Sequence, residues 1–263
     1  MTTGDNRRGG RRPPLRSQSR PGWRVDSMKS ALATVACLLI AASAQAARAA
    51  ASPRIAPHQE LVALLRTHGV SDRPNGKQVA FVGPSRPITG ERTVLPVLAQ
   101  TIDTRGRSWL RVRLPGRAVG GSPPPRTGWI GAWNTLRSTT TWHIVVDLNA
   151  RRVFIYHDGR QLLSYQAIVG KPSTPTPAGE YFVEENVQLP AWSAGAPYAL
   201  ATSDRSNVLQ EFDGGPGQIA LHGLDNVGGQ LGTAASHGCI RVADSAITWL
   251  AARIQPGVPI SIT

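Results

Sequence analysis

The sequence is short of cysteine, of charged residues and of long apolar runs, and each shortage excludes a class of protein. Two cysteines among 263 residues are too few for a disulfide-dense scaffold or a four-cysteine zinc site. Charged residues make up 17% of the chain against 41% hydrophobic residues, a balance typical of globular rather than disordered proteins. A single apolar stretch is long enough for a membrane segment, so a protein with several membrane spans is excluded. The 27 glycines and 21 prolines instead favour many short strands and loops over long helices.

The first segment predicts export from the cytoplasm. Residues 30–47 carry no charge and end in small side chains that suit signal cleavage. We therefore interpret residues 28–46 as a secretory signal peptide that starts at Met28, with a retained membrane anchor as the alternative. Residues 1–27 are rich in arginine and are either a disordered basic leader or an extension that is not translated. The expected location is the cell wall or another extracytoplasmic space, with no stable membrane span after cleavage.

Signal cleavage would leave one cysteine in the mature chain. Cys37 lies inside the apolar run and is expected to be discarded with it, so Cys239 remains. A spare thiol is a liability in an oxidising compartment, and a lone cysteine there needs a reason. Nucleophilic catalysis is one such reason.

Formal charge divides the rest of the chain into two predicted domains. Residues 73–137 hold eleven Lys and Arg against two acidic residues, a charge of +9, whereas residues 141–263 hold seven against ten, a charge of −3. The polar run 137–141 is interpreted as a short linker between them. Residues 47–72 are expected to form another linker with one short amphipathic helix, because Leu61, Leu64 and Leu65 have helical spacing.

The basic half is predicted to consist of strands. Residues 93–98, 109–114 and 127–130 are β-prone, and a Gly/Pro loop over 116–126 separates the last two. The pattern resembles a bacterial SH3-like domain, a small β-barrel. Its excess positive charge could attract an anionic wall polymer, anionic lipid or nucleic acid, and export argues against nucleic acid. A solvated basic face without a ligand is the alternative.

The second half is predicted to be a β-meander that carries the chemistry. Strands are expected over residues 142–147, 152–156, 162–169 and 180–183, with a rigid proline-rich loop over 170–179. A helix with Ile247, Leu250 and Ile254 on one face is expected after Asp244, which is predicted to be its N-cap.

The most informative stretch combines two histidines with the lone mature cysteine. His222 and the run from Ser236 to Arg241, with His237 and Cys239, fall within a short span. A reactive thiol needs a base or cationic partner, and imidazole suits that role. Gly238 allows close approach of a substrate carbonyl, and the amides of Gly238 and Cys239 could stabilise an oxyanion. A zinc site is a competing explanation, although neighbouring His237 and Cys239 could share one metal only in a strained loop.

These motifs resemble those of the YkuD-type L,D-transpeptidases. The resemblance rests on Leu221-His222-Gly223, on Ser236-His237-Gly238-Cys239-Ile240-Arg241 and on the Gly170-Lys171-Pro172 loop, and it spans residues 141–263. It implies a mainly β protein in which an SH3-like barrel precedes a YkuD-type β-sandwich with a few short helices. No cofactor and no metal are implied.

The resemblance also implies a reaction and roles for individual residues. Cys239 would attack the carbonyl of the third residue of a peptidoglycan stem peptide, expel D-Ala and pass the thioester to an amine of another stem, which gives a 3→3 cross-link. His222 would be the base or thiolate partner, oriented by the Gly223 carbonyl. The residues expected to shape the pocket or to contact substrate are Ser236, His237, Gly238, Arg241 and Tyr198, and residues 184–217 resemble a lid.

Three alternatives to cross-linking stay open from the sequence. Water as acceptor gives an L,D-carboxypeptidase, and a protein lysine gives an enzyme that attaches proteins to peptidoglycan. A wall-binding protein without catalysis is the third alternative.

Overall fold

The structure is a computed structural model that describes residues 55–212 and 214–263. The predicted leader and signal peptide lie outside the described residues. Residues 54–263 form one compact unit. Within the described ranges, no helix is long and apolar enough to cross a membrane.

The basic half folds into a seven-stranded antiparallel sheet. The strands lie in the order β3-β2-β6-β5-β4-β1-β7, and they are β1 (Gln59–Leu64), β2 (His68–Ser71), β3 (Gln78–Val82), β4 (Val94–Ile102), β5 (Ser108–Arg113), β6 (Thr127–Gly131) and β7 (Thr135–Thr140). The three strands predicted here correspond to β4, β5 and β6. In β5, Leu110 and Val112 are buried while Arg111 between them is exposed, as the alternating pattern predicts. The SH3-like assignment itself stays a prediction.

The predicted helix before this sheet is wrong, because residues 59–64 form strand β1. The strand pairs with β4 on one side and with β7 on the other. Leu61, Val62 and Leu64 are all buried, so the strand packs on both of its faces. Leucines at helical spacing are therefore equally compatible with a strand that has two buried faces. Pairing with the neighbouring strands decides whether the segment forms a helix or a strand.

The predicted linker over residues 137–141 is also wrong for most of its length. It forms the greater part of β7, an edge strand in which Arg137 to Thr140 pair with Val62 to Gln59 of β1. A polar and threonine-rich run suits an exposed edge strand, since threonine favours β structure and one face meets solvent.

The second half is built around an eight-stranded mixed sheet, which confirms the mainly β class. Its order is β10-β9-β8-β17-β12-β13-β14-β16, and a separate pair joins β11 to β15. The elements are β8 (Trp142–Asp147), β9 (Arg152–His157), β10 (Arg160–Gln166), β11 (Val169–Gly170), β12 (Gly179–Gln188), β13 (Tyr198–Arg205), β14 (Gln218–His222), β15 (Ala234–Ser236), β16 (Ile240–Arg241), β17 (Pro259–Ile262) and helix α1 (Asp244–Ala251).

The lid expected over residues 184–217 is interrupted by regular structure. The segment includes the end of β12 and all of β13, which pair with each other. Its loops are residues 189–197 and 206–217. The aromatic side chains at their tips face solvent, since Trp192 is 81% exposed and Phe212 is 55% exposed.

The two sheets share core residues through β12. Alternate residues of a strand point to opposite faces, so Tyr181 and Val183 join the core of the second sheet. Phe182 between them is 1% exposed and belongs to the core of the first sheet, together with Val112 and Ile130. The catalytic half therefore supplies one side chain to the core of the basic half.

Candidate active site

The residues predicted to react lie on two neighbouring parallel strands. Strand β14 ends at His222 and β16 begins directly after Cys239, with Leu221 opposite Ile240 and His222 opposite Arg241. Leu221 and Ile240 are buried in the core, so the residues that alternate with them occupy the more open face. Neighbouring strands lie about 4.8 Å apart, so His222 and Cys239 belong to adjacent segments and lie on the same face of the sheet.

The tautomer of His222 follows from one backbone contact. Nδ1 lies 2.8 Å from the carbonyl oxygen of Gly223, which can only accept, so Nδ1 carries the proton and donates it. Burial lowers the pKa of His222, the hydrogen bond to Gly223 opposes this shift, and the positive charge of Arg241 adds to it. The ring is therefore neutral near pH 7, and Nε2 keeps a lone pair that can accept a proton.

Cys239 is a free, half-buried cysteine. Its Sγ lies 3.9 Å from the carbonyl oxygen of Gln218. Burial raises the pKa of this thiol, and the Ala220 amide and the charge of Arg241 oppose the increase. Cys239 therefore rests as a thiol, which would need a base to react as a nucleophile, and neutral His222 is a base of the right kind.

The loop before Cys239 is fixed by the Ser236 hydroxyl. Ser236 Oγ donates to the Cys239 carbonyl at 2.6 Å and accepts from the Gly238 amide at 3.1 Å. Gly238 has φ +121°, a backbone conformation that favours glycine. The sequence predicts that both amides are oxyanion donors, but the Gly238 amide is already engaged by Ser236. The Cys239 amide meets no acceptor among the residues that the structure describes, so it is the better placed donor.

Two threonines of the proline-rich loop hold the cysteine loop, a role that the sequence analysis does not assign to them. Thr176 Oγ1 donates to the Gly238 carbonyl at 2.7 Å and accepts from the Gly170 amide at 2.9 Å. Thr174 Oγ1 donates to the Ser236 carbonyl at 3.3 Å. Both threonines are buried although they lie between prolines, and a hydroxyl repeated at every second residue of a rigid loop is the signal that could have identified them.

A second set of contacts positions His222 from the opposite side. Asp244 was expected to cap its own helix, but the N-cap of α1 is Ala243. The Asp244 carboxylate instead accepts from the Leu224 amide at 2.5 Å, directly after the His222-Gly223 pair. The carboxylate therefore fixes the loop that follows His222, because a charged acceptor forms stronger hydrogen bonds than a neutral one.

The loop over residues 189–197 covers the imidazole of His222. Gly195 has φ +86°, and a Cβ at this position would collide with Nδ1 of His222. The Gly223 amide donates to the Gly195 carbonyl at 2.9 Å, which ties this loop to the catalytic strand. A glycine is required here both for the backbone conformation and for the close approach.

The remaining predicted residues differ in how they are placed relative to His222 and Cys239. Arg241 is beside His222 in the register and donates through Nη1 to the Gly228 carbonyl at 3.3 Å. His237 is exposed and stacks on Phe212, with ring centroids 6.1 Å apart. Tyr198 is half-buried against the core beside Ala199, the strand partner of His222; its contact with substrate stays a prediction. No group of three or more His, Cys, Asp or Glu side chains in the described ranges is arranged to hold a metal ion.

Comparison with known proteins identifies the family of the second half. Residues 141–262 match the model of the YkuD family, described as the L,D-transpeptidase catalytic domain. The YkuD protein of Bacillus licheniformis, an L,D-transpeptidase by name, is 31% identical over 125 residues, which are 48% of this chain and 67% of that protein. The YkuD protein of Bacillus subtilis is 28% identical over 124 residues, or 47% of this chain and 67% of that protein.

A solved structure is also similar to part of the chain. An Enterococcus faecium L,D-transpeptidase mutant is 26% identical, with a TM-score of 0.34, over 46% of this chain and 49% of its own. The match thus spans about half the length of that solved chain. The chain belongs to the YkuD family of L,D-transpeptidase catalytic domains, a family of acyltransferases.

Proposed function

We propose that this protein is an exported cysteine L,D-transpeptidase that forms 3→3 cross-links between peptidoglycan stem peptides. The observation that carries the proposal is the placement of neutral His222 and the Cys239 thiol on one open face of two paired strands. Membership of the YkuD family supports acyl transfer as the reaction class.

The first half-reaction forms a thioester on Cys239. Sγ attacks the carbonyl carbon of the third stem residue while Nε2 of His222 takes the thiol proton. The Cys239 amide donates to the oxyanion that develops on the carbonyl oxygen. When the tetrahedral intermediate collapses, the C–N bond breaks and His222 returns the proton to the departing D-Ala amine.

The second half-reaction passes the acyl group to an amine. A neutral side-chain amine of another stem attacks the thioester, and His222 takes the proton that the amine loses. Collapse releases the Cys239 thiolate, which recovers this proton from His222. The chain ends the cycle with the protonation state in which it began.

Export and wall binding are the other parts of the proposal. The uncharged run 30–47 supports a signal peptide, and a single retained cysteine suits a reactive thiol in an oxidising compartment. The charge of +9 on residues 73–137 supports attraction to an anionic wall polymer. Arg92, Arg105 and Arg111 are exposed on this half and are available for such contacts.

Intact mass spectrometry tests the acyl-enzyme. The purified full chain is mixed with a tetrapeptide muropeptide, and Cys239→Ala serves as the matched control. We expect a mass increase equal to the donor minus D-Ala on the wild type and none on the variant. Consumption of donor by Cys239→Ala at the wild-type rate would contradict the mechanism. Identification of the released products then distinguishes cross-linking from hydrolysis and from transfer to a protein amine.

A further inference from the structure

A large cleft lies between the first sheet and the catalytic sheet. Its volume is about 800 Å³, which is within the range of about 300–1,000 Å³ that ligand sites occupy. Four of the exposed large apolar side chains of the protein line it: Phe81, Ile88, Val119 and Phe212. Exposed apolar side chains that converge on one concave surface indicate a binding site more strongly than the same side chains scattered singly.

One end of the cleft lies next to residues that contact Cys239 or the loop before it. Gln218 lines the cleft, and its carbonyl oxygen is the atom that lies 3.9 Å from Sγ of Cys239. Phe212 also lines the cleft and stacks on His237, two residues before the nucleophile. Cys239 itself does not line the cleft, but Gln218 contacts its sulfur and Phe212 contacts the loop that precedes it.

The order of residues along β14 gives the substrate a direction. Gln218, Ala220 and His222 follow one another on the open face, and the Ala220 amide hydrogen-bonds the thiol of Cys239, one residue before the Leu221–Ile240 pair. The departing amine receives its proton from His222, and the entering amine gives its proton to the same atom. Both amines must therefore approach Cys239 from the His222 side, which leaves the Gln218 side for the part of the donor that stays attached.

We propose that the cleft between the two sheets binds the retained part of the donor stem peptide, which is the segment N-terminal to the carbonyl that Cys239 attacks. The inference rests on the proposed function and assigns Phe81, Ile88 and Val119 of the first sheet and its loops to substrate binding. The walls are mostly apolar, so they suit the methyl and methylene groups of an extended peptide. The first sheet is then one wall of the donor site.

The test compares Phe81→Ser with Ile102→Ser in the full chain. Both side chains are 69% exposed and both belong to the first sheet, but Ile102 does not line the cleft. Acylation of Cys239 by the tetrapeptide muropeptide is followed by intact mass, and alkylation by iodoacetamide measures the reactivity of the thiol itself. We expect Phe81→Ser to slow acylation by about tenfold with alkylation unchanged, and Ile102→Ser to change neither rate. Val119→Ser, in the loop on the same cleft, is expected to act as Phe81→Ser does.

The outcomes separate this inference from the proposed function. Wild-type chain that the donor does not acylate at all contradicts the proposed function, and the inference fails with it. If both cleft variants are acylated at the wild-type rate, the inference is overturned and the proposed function is unaffected. A cleft variant that loses acylation and alkylation equally also overturns it, because the substitution then acts on the thiol rather than on the bound peptide.

Discussion

The Glu184 carboxylate is buried between two guanidinium groups, and Glu184→Gln measures what this arrangement contributes to stability. The side chain is 0% exposed, and it pairs with Arg86 of the loop between β3 and β4 and with Arg205 of β13, whose Nη2 lies 3.1 Å away. It also accepts from the Gly116 amide at 2.9 Å and from Gln218 Nε2 at 3.3 Å. Glutamine keeps the size of the side chain but removes the charge. It also adds an amide N–H donor that faces the two guanidinium groups, which are themselves donors.

The expected loss is large because both arginines are themselves largely buried. Their side chains are 11% and 7% exposed, so neither can regain full hydration when the carboxylate is removed. Removing one member of a buried pair costs about 3–5 kcal/mol. For a unit of this size, such a loss lowers Tm by about 6–20 °C.

Urea denaturation followed by tryptophan fluorescence measures the change, with Glu60→Gln as the matched control. Glu60 pairs with Arg137 at 2.8 Å, but its side chain is 49% exposed, so its loss is expected to cost less than about 1 kcal/mol. A free energy of unfolding for Glu184→Gln within about 1 kcal/mol of the control would refute the reasoning. A double-mutant cycle with Arg86→Met then isolates the contribution of the contact between the two sheets.

Two further predictions follow from groups next to the catalytic strands. Burial raises the pKa of Asp204 to about 7, against opposing effects of Tyr181 and nearby arginines. The native state therefore binds a proton more tightly than the unfolded state. Through Asp204, the free energy of unfolding of the protein should fall by up to about 4 kcal/mol as the pH rises from 4 to 7. Asp204→Asn should remove this dependence in thermal melts, and parallel pH profiles of Tm would contradict the shift. Gly195→Ala should lower kcat/KM by about 100-fold through displacement of His222. Gly90→Ala has a similar φ of +73° with open space around it, so equal losses in the two variants would point to backbone strain instead.

The two residues of the proposed catalytic pair could be named from the sequence because they are close together in the chain. His222 and Cys239 share a short segment, so local motif chemistry was enough to connect them. The mainly β class and strands β4, β5 and β6 were predictable for a similar reason, since a short β-prone apolar run or an apolar–polar alternation is visible within five or six positions.

Features that depend on distant parts of the chain could not be predicted in this way. Whether residues 59–64 form a helix or a strand depends on β4 and β7, which are their partners. The engagement of the Gly238 amide depends on a serine rotamer rather than on residue type. The Asp244 carboxylate accepts from the Leu224 amide, which lies twenty residues earlier in the chain, so local capping rules assigned the wrong partner.

The position of Phe182 in the core of the first sheet has a consequence for the order of folding. The first sheet ends at Thr140, but the side chain that completes its core belongs to β12, much further along the chain. A growing chain that has reached only Thr140 therefore lacks part of the apolar contact that holds the sheet together. The core of the first sheet is therefore complete only when β12 is in place, so the final packing of the first half depends on the second.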